Sequence, residues 1–183
     1  DTRQAHPCMQ NPRYAGPVGC PALESAHAPA RGTQARTLMT GTRIEPLLMS
    51  ASEMARAIRD GRTSSRALVD AHIRRIEAVN PVINAVVQQR FDAARQEADA
   101  ADARIAKTPD KSSLPPLLGV PCTLKENFAF TGFPQVSGVV KRRNAIAQKD
   151  APTVARLRAA GAIVLGFTNT PELCMWMETY NKV

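Results

Sequence analysis

The most constraining feature of this chain is a short run, residues 162–165 (Ala-Ile-Val-Leu), that is apolar at every position. A strand points successive side chains to opposite faces, so this run must be buried on both. A helix precedes it, with Asp150 as the expected cap, Pro152 in the first turn and Gly161 at the stop. An earlier apolar stretch over 119–125 predicts another strand. Strands of this kind belong mostly to parallel sheets covered by helices, so the predicted fold class is α/β.

The residues before this unit predict helices and one strand. Apolar residues recur at helical spacing, and Ser or Thr stands where a helix cap is needed. In chain order, we expect a short helix over 50–59, a longer helix over 63–80 ended by Asn80-Pro81, a short strand over 83–87 and a helix over 91–107.

Residues 1–45 differ from the rest of the chain. They contain five prolines and no sustained periodicity, and the first residue is Asp1 rather than Met. Such a segment cannot bury enough apolar surface to offset the entropy of ordering. We expect it to be disordered or a non-native extension, with the folded domain in residues 46–183.

Composition excludes several classes of protein. The formal net charge of +8 is spread along the chain, which favours a solvated surface, and no nucleic-acid partner is expected. The four cysteines and three histidines have no zinc-ligand spacing and no disulfide pattern, so we expect a reducing compartment, no metal and no cofactor. No apolar run approaches the roughly 20 residues that span a bilayer. A cytoplasmic protein is therefore predicted.

The segment 116–127 (PLLGVPCTLKEN) ends an apolar strand with a lysine, Lys125, followed by Glu126 and Asn127. Burial would lower the pKa of this lysine and allow it to act as a base near neutral pH. Alternatively, its stem packs while its ammonium reaches water. Taken alone, the segment favours the second interpretation.

A second segment, 150–173, follows at a distinctive interval, and together the two resemble the amidase-signature family. Members share P-x-x-G-[apolar]-P-x-x-[apolar]-K-[DE]-N and then D-A-x-x-V-x-x-L-x-x-A-G-A-[apolar]-x-x-G-x-T-N-x-x-E. The matches are Pro116, Gly119, Val120, Pro121, Lys125, Glu126 and Asn127 in the first segment, and Asp150, Ala151, Val154, Leu157, Ala160, Gly161, Ala162, Gly166, Thr168, Asn169 and Glu172 in the second. The resemblance begins at about Ser50. It implies that 46–183 is the N-terminal part of a truncated amidase-signature domain, with helices followed by part of a helix-covered mixed sheet.

This resemblance implies a role for one residue, because Lys125 matches the catalytic lysine of the family. That lysine is neutral in the free enzyme and works as base and then acid through a bridging serine on a cis peptide bond. A second serine attacks the amide carbonyl. The family carries these serines in G-G-S-S-G-G and G-S-x-x-G-G-S segments, and neither occurs here. We expect both serines to lie beyond Val183 and the chain alone to be inactive.

The last twelve residues, 172–183, are similar to the fatty acid amide hydrolase-like branch of the family. Cys174, Met175 and Trp176 are the candidate substrate-binding residues, as an apolar surface for an acyl chain. Core packing is the simpler interpretation of this Met- and Trp-rich spacing. Cys122 is interpreted as a small buried hydrophobic residue rather than a nucleophile.

Three functions remain open from the sequence. The first is an amidase that hydrolyses the carbon–nitrogen bond of a small-molecule amide, with homodimerisation of the complete enzyme left open. The second is a subunit of a tRNA-dependent amidotransferase, which shares the fold and needs partner proteins and RNA. The third is a non-catalytic fragment.

Overall fold

A computed structural model describes residues 45–183, so the predicted extension over residues 1–45 lies outside it apart from Glu45. The described part of the chain forms helices around a small sheet. In chain order, its elements are α1 (Ala51–Arg59), α2 (Ser65–Ile83), β1 (Val86–Gln89), α3 (Phe91–Lys107), β2 (Pro121–Lys125), α4 (Pro152–Ala159) and β3 (Ile163–Thr168). No helix within residues 45–183 has the length and apolar character needed to cross a bilayer.

The sheet is mixed, with β3 at its centre. The strand order is β1-β3-β2; β2 runs parallel to β3, and β1 runs antiparallel to it. The parallel pair is connected through α4, as the strand–helix–strand pattern predicts. The pairing of β2 with β3 contains a register shift, because Cys122 pairs with Val164 but Leu124 pairs with Phe167. The predicted α/β class with a helix-covered mixed sheet is confirmed.

The central strand is buried on both faces, as its uninterrupted apolar sequence requires. On one face, Ile163 and Leu165 pack against α2 and α3, where the fully buried contacts are Val69, Ile73, Ala94 and Ala98. On the other face, Val164 and Phe167 pack with Phe130 and with Val154 of α4. The small alanines let α3 approach α2 and the sheet closely, which explains why a helix of alternating Ala and charge lies on a core.

Two predicted boundaries near Pro81 are wrong. Helix α2 continues through Pro81 to Ile83, and β1 starts at Val86 rather than at residue 83. The side chain of Asn80 explains the shift, since it accepts the N–H of Val86 at 2.8 Å and donates to the Val86 carbonyl at 2.9 Å. These bonds close the loop after one more helical turn, and Asn84 ends that turn in the left-handed conformation.

The predicted helix cap at Asp150 is also wrong. The residue at the cap position of α4 is Ala151, and no side chain caps this helix. Asp150 instead accepts the backbone N–H of Thr131 at 2.8 Å, its hydroxyl at 2.7 Å and the Arg158 guanidinium at 2.6 Å. Asp150 therefore ties the turn at Thr131 to the start and end of α4.

We expect Asp150 to make the stability of the chain dependent on pH in the acid range. The Thr131 N–H, followed by the Thr131 hydroxyl and Arg158, lowers the pKa of Asp150 from 3.8 to about 2, although partial burial opposes the shift. Because the folded pKa is the lower one, the stabilisation is complete above the unfolded pKa and is lost as pH falls towards 2. Asp150→Asn should therefore lower the melting temperature at pH 7 and flatten its decline between about pH 4 and pH 2.

Circular-dichroism melts of the full chain across this pH range measure the effect. Asp60→Asn is the control, because the Asp60 side chain is 59% exposed and pairs only with an exposed arginine at 3.4 Å. It should keep the wild-type slope. If Asp150→Asn also keeps the full wild-type slope, Asp150 is not the group responsible.

Candidate active site

The candidate catalytic lysine lies at the carboxyl end of an edge of the described sheet. Lys125 is the last residue of β2, and its Cα pairs with that of Thr168, the last residue of β3. The carboxyl ends of parallel strands are where α/β sheets place their ligand sites, since both chains leave the sheet there as loops. The Lys125 side chain is exposed. Within the described residues, the structure thus favours an ammonium that reaches water over a buried one.

The next residue, Glu126, is buried and organises the loop beside Lys125. Its side chain is almost fully enclosed, at 5% exposure, and its carboxylate accepts the backbone N–H groups of Val136 and Ser137, the latter at 2.8 Å. Its own N–H donates to the Thr168 carbonyl at 2.9 Å and so continues the β2–β3 ladder. The sequence shows Glu126 only as a letter of a motif. An acidic residue directly after an apolar strand was the available signal for its role.

The loop held by Glu126 contacts the turn that follows β3. Leu173 donates its N–H to the Ser137 carbonyl at 2.8 Å. Gly138 has a φ of +69°, and a Cβ at this position would lie 2.9 Å from the Cα and N of Glu172. Only glycine fits such a close approach without displacing backbone. The loop and the turn therefore pack backbone against backbone.

The three candidate substrate-binding residues lie just beyond that turn, on the surface of the described chain. Pro171 is the last buried residue, and Leu173 and Cys174 then take left-handed φ values of 53° and 59°. Met175 and Trp176 are 78% and 73% exposed, and with Cys174 and Met177 they line an open depression of ≈ 390 Å³. The expected core packing of this segment is therefore wrong within residues 45–183, because the chain turns away from the core at Leu173.

The polar turn between β3 and Pro171 is held by an asparagine pair. The Asn169 side-chain oxygen accepts the Thr170 N–H at 2.8 Å and the Asn181 amide at 2.9 Å, and Asn181 also donates to the Thr170 carbonyl at 2.7 Å. Asn169 in addition donates its backbone N–H to Ala85, which ties the turn to the start of β1. These bonds fix the exit from β3 next to Lys125.

Cys122 has the character expected of a packing residue. Its side chain packs against the phenylalanine cluster on the α4 face of the sheet. Burial raises the pKa of its thiol to about 11, although the Arg90 charge acts in the opposite direction. The thiol is therefore protonated at neutral pH, and only the thiolate is a strong nucleophile.

The fold and the strand-end lysine do not by themselves define a class of protein, whereas comparison with known proteins assigns the family. The family model described as Amidase matches residues 67–183. Fatty-acid amide hydrolase 2 of Homo sapiens is 48% identical over 144 residues, which are 76% of this chain and 27% of that protein. The chain belongs to the amidase family.

Two further similarities extend this result. Indoleacetamide hydrolase of Bradyrhizobium diazoefficiens is 47% identical over 123 residues, which are 67% of this chain and 23% of that protein. A solved structure of fatty acid amide hydrolase superposes with a TM-score of 0.69 and 24% identity, covering 73% of this chain and 23% of that chain, and supports the fold. The chain spans about a quarter of the length of the relatives it matches.

Proposed function

We propose that this chain is the lysine-bearing part of an amidase that hydrolyses carbon–nitrogen amide bonds by a Ser–cis-Ser–Lys mechanism. The observation that carries the proposal is the placement of Lys125, at the carboxyl end of β2 and in register with Thr168 beside a fixed polar turn. The matching family segments on both strands support the same role for this lysine.

In this mechanism, Lys125 acts as a neutral amine and accepts a proton from the bridging serine, which accepts one from the nucleophilic serine as its oxygen attacks the amide carbonyl. The lysine then returns the proton to the leaving nitrogen, and an acyl-enzyme and a free amine or ammonia result. Water hydrolyses the acyl-enzyme to a carboxylate through the same proton path. An exposed lysine in the described residues has room for a serine to approach its Nζ atom.

We further propose that the substrate is an amide with an apolar acyl group. Cys174, Met175 and Trp176 supply the apolar surface, close along the chain to the turn that follows β3. The similarity to the human fatty-acid amide hydrolase 2 supports an acyl chain rather than a small polar group. A surface of this composition binds alkyl chains through burial of apolar area.

We expect the 183-residue chain, purified alone, to show no amidase activity. The reason is that the G-G-S-S-G-G and G-S-x-x-G-G-S segments are absent from its sequence, so Lys125 has no serine hydroxyl to activate. The measurement is release of the amine from an aryl amide, with the Lys125→Ala chain as blank. Turnover by the wild-type chain that disappears in Lys125→Ala would show that the nucleophile lies within these 183 residues.

A further inference from the structure

We infer that Glu126 is a positioning residue, which sets the place of the substrate segment, residues 172–177, through the loop 136–138. The inference rests on the proposed function for its catalytic consequence, but the mechanical connection is visible in the described residues alone. It runs from the Glu126 carboxylate to the loop, and from the loop to the turn at Glu172 and Leu173.

The first step is the chemistry of the buried carboxylate. A charge enclosed to 5% exposure requires partners, and none of the ion pairs within residues 45–183 involves Glu126. Its hydrogen bonds come from two consecutive backbone N–H groups, those of Val136 and Ser137. The loop must keep both N–H groups directed at the carboxylate, because an ionised buried group left without them is costly.

The second step is the strain in the backbone around this contact. Among the described residues, four that are not glycine have positive φ, and three of these lie at this joint: Ser137 at 52°, Leu173 at 53° and Cys174 at 59°. The fourth, Asn84, ends helix α2. Such conformations persist only where the surroundings enforce them, and they concentrate at functional sites. The three positive-φ residues on the two sides of one contact therefore support a functional role for this joint.

The third step is transmission. The loop and the turn meet through the Leu173 N–H bond to the Ser137 carbonyl and through the Gly138–Glu172 backbone contact. A displacement of Ser137 is therefore expected to reach Leu173 through backbone contacts, with no flexible side chain between them. Glu126 directly follows Lys125 and its N–H bonds to Thr168. One residue thus fixes the lysine strand and, through the loop, the segment proposed to hold the acyl chain.

The test is amide hydrogen exchange in the full 183-residue chain, comparing wild type with Glu126→Gln. The amide side chain keeps one acceptor oxygen and presents an N–H₂ group to the second backbone N–H, so one bond must be lost. We expect the Leu173 amide, which does not touch Glu126, to exchange about tenfold faster in the variant. The matched control is Asp150→Asn, which changes another loop-anchoring carboxylate to an amide and should leave Leu173 unchanged.

Fluorescence gives an independent reading, because Trp176 is the only tryptophan of the chain. Its anisotropy should fall in Glu126→Gln and stay at the wild-type value in Asp150→Asn. Faster exchange at Val136 and Ser137 with unchanged Leu173 exchange and anisotropy would overturn the inference. Loss of amide protection at Val164 would show that Glu126→Gln is unfolded. In that case Gly138→Ala is the variant to measure, because its added Cβ disturbs the contact with Glu172 while the Glu126 carboxylate is kept. Wild-type Leu173 exchange in folded Gly138→Ala would also overturn it.

In the complete enzyme, the quantity to measure is the selectivity for long-chain over short-chain acyl amides. The ratio of kcat/KM for a long-chain acyl amide to that for an acetyl amide should fall about tenfold in Glu126→Gln, because misplacing the acyl surface affects only the long chain. An equal loss for both substrates would indicate a merely structural role and would contradict the inference. If the complete wild-type enzyme hydrolyses no amide, the proposed function fails, whereas the exchange and fluorescence results still decide the coupling.

Discussion

In the proposed amidase, replacing Lys125 by alanine is expected to abolish amide hydrolysis. A general base that takes the proton of the nucleophile contributes about 10²–10⁴-fold on its own, and in a triad that acts as a unit the loss is larger. Folding should be nearly unaffected, because the Lys125 side chain is exposed in the described chain and leaves no cavity. Steady-state kinetics with matched thermal melts separate the two effects.

Lys125→Arg distinguishes a base from a simple positive charge. A guanidinium stays protonated at every working pH, so this variant should be almost as inactive as Lys125→Ala. Lys141→Ala is the control, since Lys141 is an exposed lysine in the loop between β2 and α4 and should keep full activity. Substantial activity in Lys125→Arg would mean that the residue acts through its charge and that the proposed proton path is wrong.

Phe167→Ala should have the largest effect on stability. Phe167 of β3 is 1% exposed, and its ring lies 5.4 Å from the Phe130 ring and 5.0 Å from the Phe133 ring, centroid to centroid. Removing it takes away the centre of this cluster and leaves a cavity between the sheet and α4. Substitutions of buried phenylalanine by alanine cost about 3–5 kcal/mol, so much of the free energy of unfolding should be lost.

Urea denaturation of the full chain measures this loss as a lower midpoint at unchanged slope. Phe128→Ala is the matched control, because Phe128 has the same side chain but is 41% exposed in the turn after β2. Its free energy of unfolding should change by no more than about 0.5 kcal/mol, which is the range of ordinary surface substitutions. Equal losses in the two variants would mean that the Phe130 cluster is not a core of the folded chain.

Much of the fold could be predicted from periodicity. Helix α3 spans 91–107 as expected, and the apolar run after Gly161 is the central strand, because full burial leaves no alternative for such a sequence. The wrong predictions lie where the tertiary hydrogen bonds of one side chain override the helix-ending or helix-capping preference of the local sequence. Asn80 closes the loop across Pro81, and Asp150 binds Thr131 instead of capping α4. Both hydrogen bonds join residues that are separated along the chain, and local helix or strand propensity carries no information about such pairs.

The candidate site was less predictable. The motif indicates Lys125, and the structure places it at the carboxyl edge of the sheet, whereas its catalytic role stays a prediction. The role of Glu126 depends on Val136 and Ser137, ten and eleven residues further along an irregular loop. The exposure of Met175 and Trp176 depends on left-handed backbone at Leu173, a residue type that rarely adopts it. Neither the contacts of Glu126 nor the backbone conformation of Leu173 can be predicted from hydrophobic periodicity.

The register shift between β2 and β3 has a consequence for how this family can vary. From Pro121 to Lys125, β2 advances four residues, while its partner advances five, from Ile163 to Thr168. Because side chains alternate along a strand, deleting the extra residue of β3 would put the partner of Lys125 on the opposite side of the sheet. We therefore expect insertions and deletions in β2 and β3 to be rarer than amino-acid substitutions in related chains. The number of residues between Pro121 and Lys125, and between Ile163 and Thr168, should therefore be constant among related chains.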